Sequence, residues 1–77
     1  MNTDHGDKYI KIGWNIAYHR KAKGMTQLQL AEKANISRSF ISAIEASKMT
    51  VGMSFETFFD IAEALEIEPH KLLEFRD

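Results

Sequence analysis

Two short helical segments joined by a tight turn constrain the fold of this chain more than any other feature of its sequence. Thr26 begins the first segment, and Gln29 completes a capping box, in which each side chain bonds the other residue's backbone N–H. Asn35 stands where this segment must stop, because asparagine tolerates the left-handed backbone of a tight turn. Ser37 is a favourable N-cap for the second segment, which runs to about Ala46. The sequence therefore predicts a helix-turn-helix.

Three further helices are predicted around this pair. Residues 8–23 carry an inward stripe at helical spacing, and Gly24 follows them as a C-cap. Ser54 caps a fourth helix, and Pro69 suits the first position of a short fifth one. The fourth helix takes its inner face from Phe55, Phe58, Phe59, Ala62 and Leu65. The prediction is an all-α fold: a compact five-helix domain over residues 8–77, preceded by a flexible tail over residues 1–7.

Composition excludes several classes of protein. The chain has no cysteine, so disulfides and thiolate metal sites are excluded. No apolar run approaches the length of a membrane span, and residues 1–7 lack the features of a secretory signal, so we expect a cytoplasmic location. The three histidines are scattered, and no glycine-rich phosphate loop is present. We therefore expect no enzyme activity, no metal and no cofactor.

Charge is divided unevenly along the chain. The net charge of −1 is unusual for a protein that binds nucleic acid. Residues 8–48, however, contain eight Lys or Arg and only two acids, Glu32 and Glu45, so their net charge is +6. Residues 49–77 contain seven acids and two bases, Lys71 and Arg76, so their net charge is −5. The first region therefore suits phosphate, and the second is repelled by it.

Motifs over residues 9–75 form one pattern: Ile12-Gly13, Gly24-Met25-Thr26-Gln27, Leu30-Ala31, Ile36-Ser37-Arg38-Ser39, Ile44-Glu45 and Lys71-Leu72-Leu73. This pattern resembles the Cro/phage-repressor (XRE) helix-turn-helix family, which has a lambda-repressor-like fold. Short bacterial repressors and restriction-modification controller proteins are the members that it resembles most. The resemblance implies sequence-specific binding of double-stranded DNA by a small dimeric transcription regulator. Its recognition helix, about residues 37–46, would lie in the major groove.

The resemblance also implies which side chains contact DNA. Gln27 stands at a position that usually contacts phosphate or a base edge; the alternative is a helix former at a solvated end. Arg38 is the best candidate for reading a base, because its guanidinium matches O6 and N7 of guanine; a phosphate contact or a plain surface arginine are the alternatives. Phosphate or water-mediated contacts are expected from Ser37, Ser39, Ser42 and Lys48.

One ion pair and one irregular loop complete the comparison with the family. Arg20 and Glu45 correspond to a part-buried pair that would orient the recognition helix. Ser47 replaces the usual glycine, and the loop over residues 46–53 is about two residues longer than usual. Leu28 stands at a normally polar position and is expected to be a surface leucine.

Two surfaces are candidates for assembly. Trp14 and Tyr18 lie opposite the inner stripe of the first helix and are expected to be exposed. The acidic half is the preferred homodimer interface, because relatives usually dimerise there; its candidate residues are Met53, Phe58, Ile61, Leu72 and Phe75. A two-fold dimer implies an inverted-repeat operator with half-sites about one helical turn apart. The alternative function is an antitoxin-like or other protein-binding module with the same fold, which a neighbouring toxin gene or a co-purifying basic protein would indicate.

Overall fold

Four α-helices and one 3-10 helix form the part of the chain that the computed structural model describes, residues 5–46 and 51–75. The α-helices are α1 (Gly6–Ala22), α2 (Gln27–Ala34), α3 (Arg38–Glu45) and α4 (Phe55–Ala64). The 3-10 helix spans Pro69–Leu73. No strand occurs within these residues, so the all-α class is confirmed, but the fifth segment is a 3-10 turn and not an α-helix.

The first helix begins earlier than predicted. Gly6 and Asp7 belong to α1, so the last two residues of the predicted tail are helical. Residues 1–4, the rest of that tail, lie outside the described residues. The N-terminal turn of α1 therefore places the Asp7 carboxylate near the positive end of the helix dipole.

The predicted helix caps are confirmed. The Thr26 hydroxyl accepts a hydrogen bond from the Gln29 backbone N–H at 3.0 Å, and the Thr26 N–H donates to Gln29 Oε1 at 2.8 Å. Asn35 ends α2 in the left-handed region with φ 59°. The hydroxyls of Ser37 and Ser54 accept from the first turns of α3 and α4. Side-chain bonds over three residues thus fix both helices of the predicted motif.

The core is one apolar cluster shared by all five helices. Its fully buried large side chains are Ile16, Leu30, Ile41, Ile61, Leu65 and Leu72. Phe58 is also buried, with 7% of its surface exposed. Three of the five predicted dimer-interface residues, Phe58, Ile61 and Leu72, are therefore core residues of the single chain. Their apolar character serves folding, and the fully buried Ile61 and Leu72 are not exposed to a second copy.

Helices α1 and α3 cross in close contact. A methyl group added at Gly13 would overlap the backbone carbonyl oxygen of Ile44. Only glycine lets the two backbones approach this closely. Gly13 therefore sets the distance between α1 and α3. The predicted inner stripe of α1 is confirmed, because its members are buried or half-buried: Tyr9, Ile12, Gly13, Ile16 and Arg20.

A buried amide connects α1 to the end of the described chain. The Asn15 side-chain Nδ2 donates to the backbone oxygens of Leu72 at 2.9 Å and Glu74 at 3.2 Å. Asn15 is 8% exposed. Since the 3-10 helix leaves terminal carbonyls without helical partners, this side chain satisfies them in the interior. Nothing in the local sequence pattern distinguished Asn15 from an exposed polar residue.

A surface ion pair connects α2 to the segment after α4. Glu66 adopts a left-handed conformation with φ 58°. Its Oε2 lies 2.9 Å from Lys33 Nζ. The hydrogen bond and positive charge of Lys33, followed by the charge of Lys23, lower the pKa of the Glu66 carboxyl below its ordinary value of 4.5.

Candidate nucleic-acid interface

The outer face of α3 is polar and open. Arg38, Ser39 and Ser42 are exposed, whereas Ile41 and Ile44 on the opposite face are buried. The inner residues hold α3 against α1 and α2, so the outer residues project from a supported helix. The structure thus brings three of the predicted DNA-contacting residues onto one accessible surface.

Two predicted contacts stand apart from this face. Ser37 is exposed at the N-terminus of α3, and its Oγ accepts from the Phe40 backbone N–H at 3.1 Å. This hydroxyl caps the helix and retains its own proton for a further hydrogen bond. Lys48 lies outside the described residues, so its phosphate contact stays a prediction.

The structure pairs Arg20 with Glu45 through two hydrogen bonds. Arg20 Nε lies 2.8 Å from Glu45 Oε2, and Arg20 Nη2 donates to Glu45 Oε1 at 2.9 Å. The two side chains are only 10% and 5% exposed. Arg20 Nη1 also donates to the Met25 carbonyl oxygen at 2.7 Å. A planar guanidinium with these three acceptors fixes α1, the turn before α2 and the end of α3 in one orientation.

Gln27 is the third member of this buried cluster. Its Nε2 donates to Glu45 Oε1 at 3.1 Å, the same oxygen that accepts from Arg20. Neither sequence-based interpretation of Gln27, a DNA contact or a solvated helix former, included this bond. We call Arg20, Gln27 and Glu45 the Glu45 network. The network places the Gln27 side chain, at the first residue of α2, in a defined position.

The uneven charge of the sequence is also present at the described surface. Exposed basic residues of the first three helices and their turns include Lys21, Lys23, Lys33 and Arg38. The exposed acids after residue 53 include Glu56, Glu63, Glu66, Glu68 and Glu74. The outer face of α3 therefore belongs to the basic half of the protein.

The acidic half exposes aromatic side chains. Phe55 is 80% exposed and Phe59 is 52% exposed, so the expectation that both belong to the inner face of α4 is wrong. Their rings stack with centroids 6.0 Å apart. Phe55 borders an apolar groove of about 110 Å³, whose other lining residues are Tyr9, Ile12, Met53, Phe58 and Leu73. We call this recess the Phe55 groove.

Exposed apolar residues also occur in the basic half. Trp14 is 49% and Tyr18 52% exposed, which confirms the prediction for this pair. Leu28 is 51% exposed, in agreement with its interpretation as a surface leucine. Among the described residues, no three acidic or histidine side chains are grouped so that they could hold a metal ion. No described helix is both long and apolar enough to cross a membrane.

Comparison with known proteins identifies the family. The family model for Helix-turn-helix matches residues 16–72. The immunity repressor protein of Bacillus phage phi105 is 42% identical over 59 residues, which cover 77% of this chain and 40% of the repressor. The chain spans 40–59% of the length of the curated relatives that it matches.

Two solved structures share the fold over most of both chains. The restriction-modification controller protein C.AhdI from Aeromonas hydrophila is 30% identical, with a TM-score of 0.79, and the match covers 86% of this chain and 97% of C.AhdI. The controller protein C.Esp1396I, solved bound to a 25 base pair operator site, is 32% identical with a TM-score of 0.75. That match covers 86% of this chain and 84% of C.Esp1396I. From the matched residues and these likenesses, the chain belongs to the XRE-type helix-turn-helix family.

Proposed function

We propose that this protein is a transcription regulator that binds double-stranded DNA sequence-specifically as a two-fold dimer. The observation that carries this proposal is the exposed polar face of α3, held in place by the Glu45 network. A supported helix of this size fits the major groove, where base edges carry a distinct pattern of donors and acceptors. The likeness to an operator-bound controller protein and to a phage immunity repressor supports DNA binding and repression. A cytoplasmic location follows as part of the same proposal.

Each exposed residue of α3 has a chemical role in this arrangement. Arg38 presents a guanidinium that can donate two hydrogen bonds to one guanine, and such a pair discriminates by about 1–3 kcal/mol. Ser39 and Ser42 carry short hydroxyls suited to phosphate or water-mediated contacts. Gln27 donates one amide N–H to Glu45, which leaves the second N–H of the same amide nitrogen to donate to a phosphate oxygen. In this proposal Gln27 therefore both positions α3 and approaches the DNA backbone.

The Phe55 groove is the proposed dimer contact. Phe55 projects beside an apolar recess on the same molecule, so a two-fold axis can place the ring of each copy in the recess of the other. Met53, a predicted interface residue, lines this recess. The half-buried Phe75 lines an adjoining recess that shares Tyr9, Ile12 and Leu73 with it. Phe58, another predicted interface residue, lines the Phe55 groove from the core. A dimer of this kind binds two half-sites about 34 Å apart.

Selection from random double-stranded DNA at physiological salt tests the proposal. We expect an inverted repeat to be enriched, because two recognition helices related by a two-fold axis read the same sequence on opposite strands. Failure of a folded protein to enrich any sequence would reject DNA reading and favour the antitoxin-like, protein-binding alternative. Co-purification with a small basic protein would then identify the partner.

Two substitutions separate base reading from positioning. Arg38→Ala is expected to relax the base preference at one position of each half-site, with a loss of about 1–3 kcal/mol of discrimination between bases. Gln27→Ala is expected to weaken binding across all sequences. Ser42→Ala is the matched control on the same helix face, with a smaller and nonspecific loss. An unchanged sequence preference for Arg38→Ala would show that Arg38 contacts only phosphate.

A further inference from the structure

Helix α1 carries a stripe of exposed residues opposite the core. The residues Asp7, Lys11, Trp14, Tyr18 and Lys21 follow one another at intervals of four, three, four and three positions, so they lie along one side of the helix. We call these five residues the α1 stripe. All of them are exposed except Lys11, which is half-buried. Intervals of this kind are typical of a helix that packs lengthwise against another helix.

The charges of the α1 stripe match those of a second α1 stripe that runs in the opposite direction. An acid stands near the N-terminal end, the indole stands in the middle, and a base stands near the C-terminal end. In an antiparallel pair centred on Trp14, Asp7 of each copy lies opposite Lys21 of the other. Lys11 of each copy lies opposite Tyr18 of the other, where its ammonium group can rest on the ring face. A parallel pair would place like charges together, so the charges select the antiparallel arrangement.

The surface beside the stripe can receive a side chain from the second copy. A recess of about 200 Å³ lies among Lys11, Trp14, Asn15, Tyr18 and Phe75. Among the ion pairs of the described residues, none uses Asp7 or Lys21. Both charges are therefore accessible for pairing between molecules.

From these features we propose that the α1 stripe is a second self-association surface, on which α1 of one copy packs antiparallel against α1 of another. Trp14 of each copy lies at the two-fold axis and enters the recess of the other copy. The contact uses residues outside the Phe55 groove and does not require DNA. A molecule with two different isologous surfaces can join dimers into larger assemblies. A single helical stripe buries a small area, so the contact is expected to be weak.

The emission of Trp14 tests the contact directly, because it is the chain's one tryptophan. As the DNA-free protein is concentrated, we expect the emission maximum to move to shorter wavelengths as the indole leaves water. Trp14→Ala should lower the affinity with which dimers join into larger species, measured by sedimentation, about thirty-fold, the effect of losing a central aromatic residue. An emission maximum that stays constant while sedimentation shows species larger than a dimer would overturn the proposal, because the joining of dimers would then leave Trp14 in water.

Charge reversal tests the antiparallel register. Asp7→Lys and Lys21→Asp each place like charges opposite one another, so each variant alone should associate roughly tenfold more weakly. An equimolar mixture of the two variants restores both opposite-charge pairs, and the shift in Trp14 emission should return. Lys8→Asp, a reversal on the same helix outside the stripe, is the matched control and should leave the shift unchanged.

The helix dipole gives the competing explanation for Asp7 and Lys21. An acid in the first turn and a base in the last turn stabilise α1 within one molecule. Under that explanation each reversal lowers the melting temperature of α1, and mixing the variants restores nothing. Such a result would reject the proposal, whereas restoration by mixing cannot arise from an effect within one chain.

Discussion

The basic and acidic halves of this protein are held together by different kinds of interaction. In the basic half, the Glu45 network and the close crossing of α1 and α3 at Gly13 fix the helices with directional bonds and backbone contact. In the acidic half, α4 is held mainly by apolar burial and keeps Phe55 and Phe59 outside the core. The half proposed to approach DNA thus has its orientation specified by polar geometry, while the other half exposes the apolar surface that we propose as the dimer contact.

Removing the buried carboxylate of the basic half should cause the largest loss of stability. Glu45→Ala leaves the buried Arg20 guanidinium without its counter-charge, which costs about 3–5 kcal/mol of unfolding free energy. Chemical denaturation measures the loss. Glu63→Ala, an exposed acid on α4, is the matched control, and we expect it to change stability by less than about 0.5 kcal/mol.

A double replacement separates orientation from stability. Arg20→Met with Glu45→Leu removes both buried charges, so we expect most of the lost stability to return. Affinity for the selected DNA should stay low, because α3 no longer has directional bonds to α1 and α2. Recovery of full affinity in the double variant would contradict the orienting role of the pair.

The helix crossing should give the next largest effect. Gly13→Ala places a methyl group against the Ile44 carbonyl oxygen, so α1 and α3 must separate, at a cost of about 3 kcal/mol. Gly24→Ala is the control: its φ of 70° strains an alanine, but nothing lies within 4 Å of the added methyl group. For that variant the free energy of unfolding should fall by only about 1 kcal/mol. Thermal unfolding monitored by circular dichroism compares the two, and equal losses would mean that α1 and α3 do not approach closely.

These predictions depend on features that the sequence revealed unequally. The capping box at Thr26, the turn at Asn35 and the cap at Ser37 were predictable because each joins residues only a few positions apart. The bond from Gln27 to Glu45 was missed, because it joins residues 18 positions apart whose proximity depends on how α2 and α3 pack. Polar side chains with distant partners carry no local pattern, and the pair of Arg20 and Glu45, 25 positions apart, was predicted only through the family resemblance.

The apolar residues of the acidic half were assigned less accurately for a related reason. Phe55, Phe58 and Phe59 all fit a helical stripe, but the side of α4 that packs on the core is narrower than this stripe and includes only Phe58 of the three. Periodicity gives the direction of a helix face and not its width.

A smaller effect tests the connection between the halves. Asn15→Ala removes both hydrogen bonds to the backbone oxygens of Leu72 and Glu74. It leaves the buried Leu72 carbonyl without this donor, which should lower the free energy of unfolding by about 1–3 kcal/mol. Hydrogen exchange should show that the 3-10 helix loses protection while α2 and α3 keep theirs. A uniform loss of protection over all helices would show instead that the halves unfold as one unit. Asn35→Gly, which keeps the left-handed turn, is a control with a change of a few tenths of a kcal/mol.

The smallest effect concerns the exposed pair of Lys33 and Glu66. Because folding lowers the pKa of Glu66, its contribution is present above the ordinary pKa of 4.5 and is lost as the pH falls through the lower pKa of the folded chain. Glu66→Gln should therefore reduce the melting temperature slightly at pH 7 and not at a pH well below 4.5. High salt should remove the difference at pH 7, since both side chains of the pair are exposed to solvent. A difference that persists in acid would assign the effect to the left-handed backbone of Glu66.

The hydrogen bond from Asn15 to the Leu72 carbonyl has a consequence for synthesis of the chain. The two residues are 57 positions apart, so the Asn15 amide cannot form this bond until 57 further residues have left the ribosome. The helix-turn-helix can acquire its local caps while the polypeptide is still growing, but the groove on α1 that receives the 3-10 helix stays open. Completion of the fold is thus tied to translation of its last described segment.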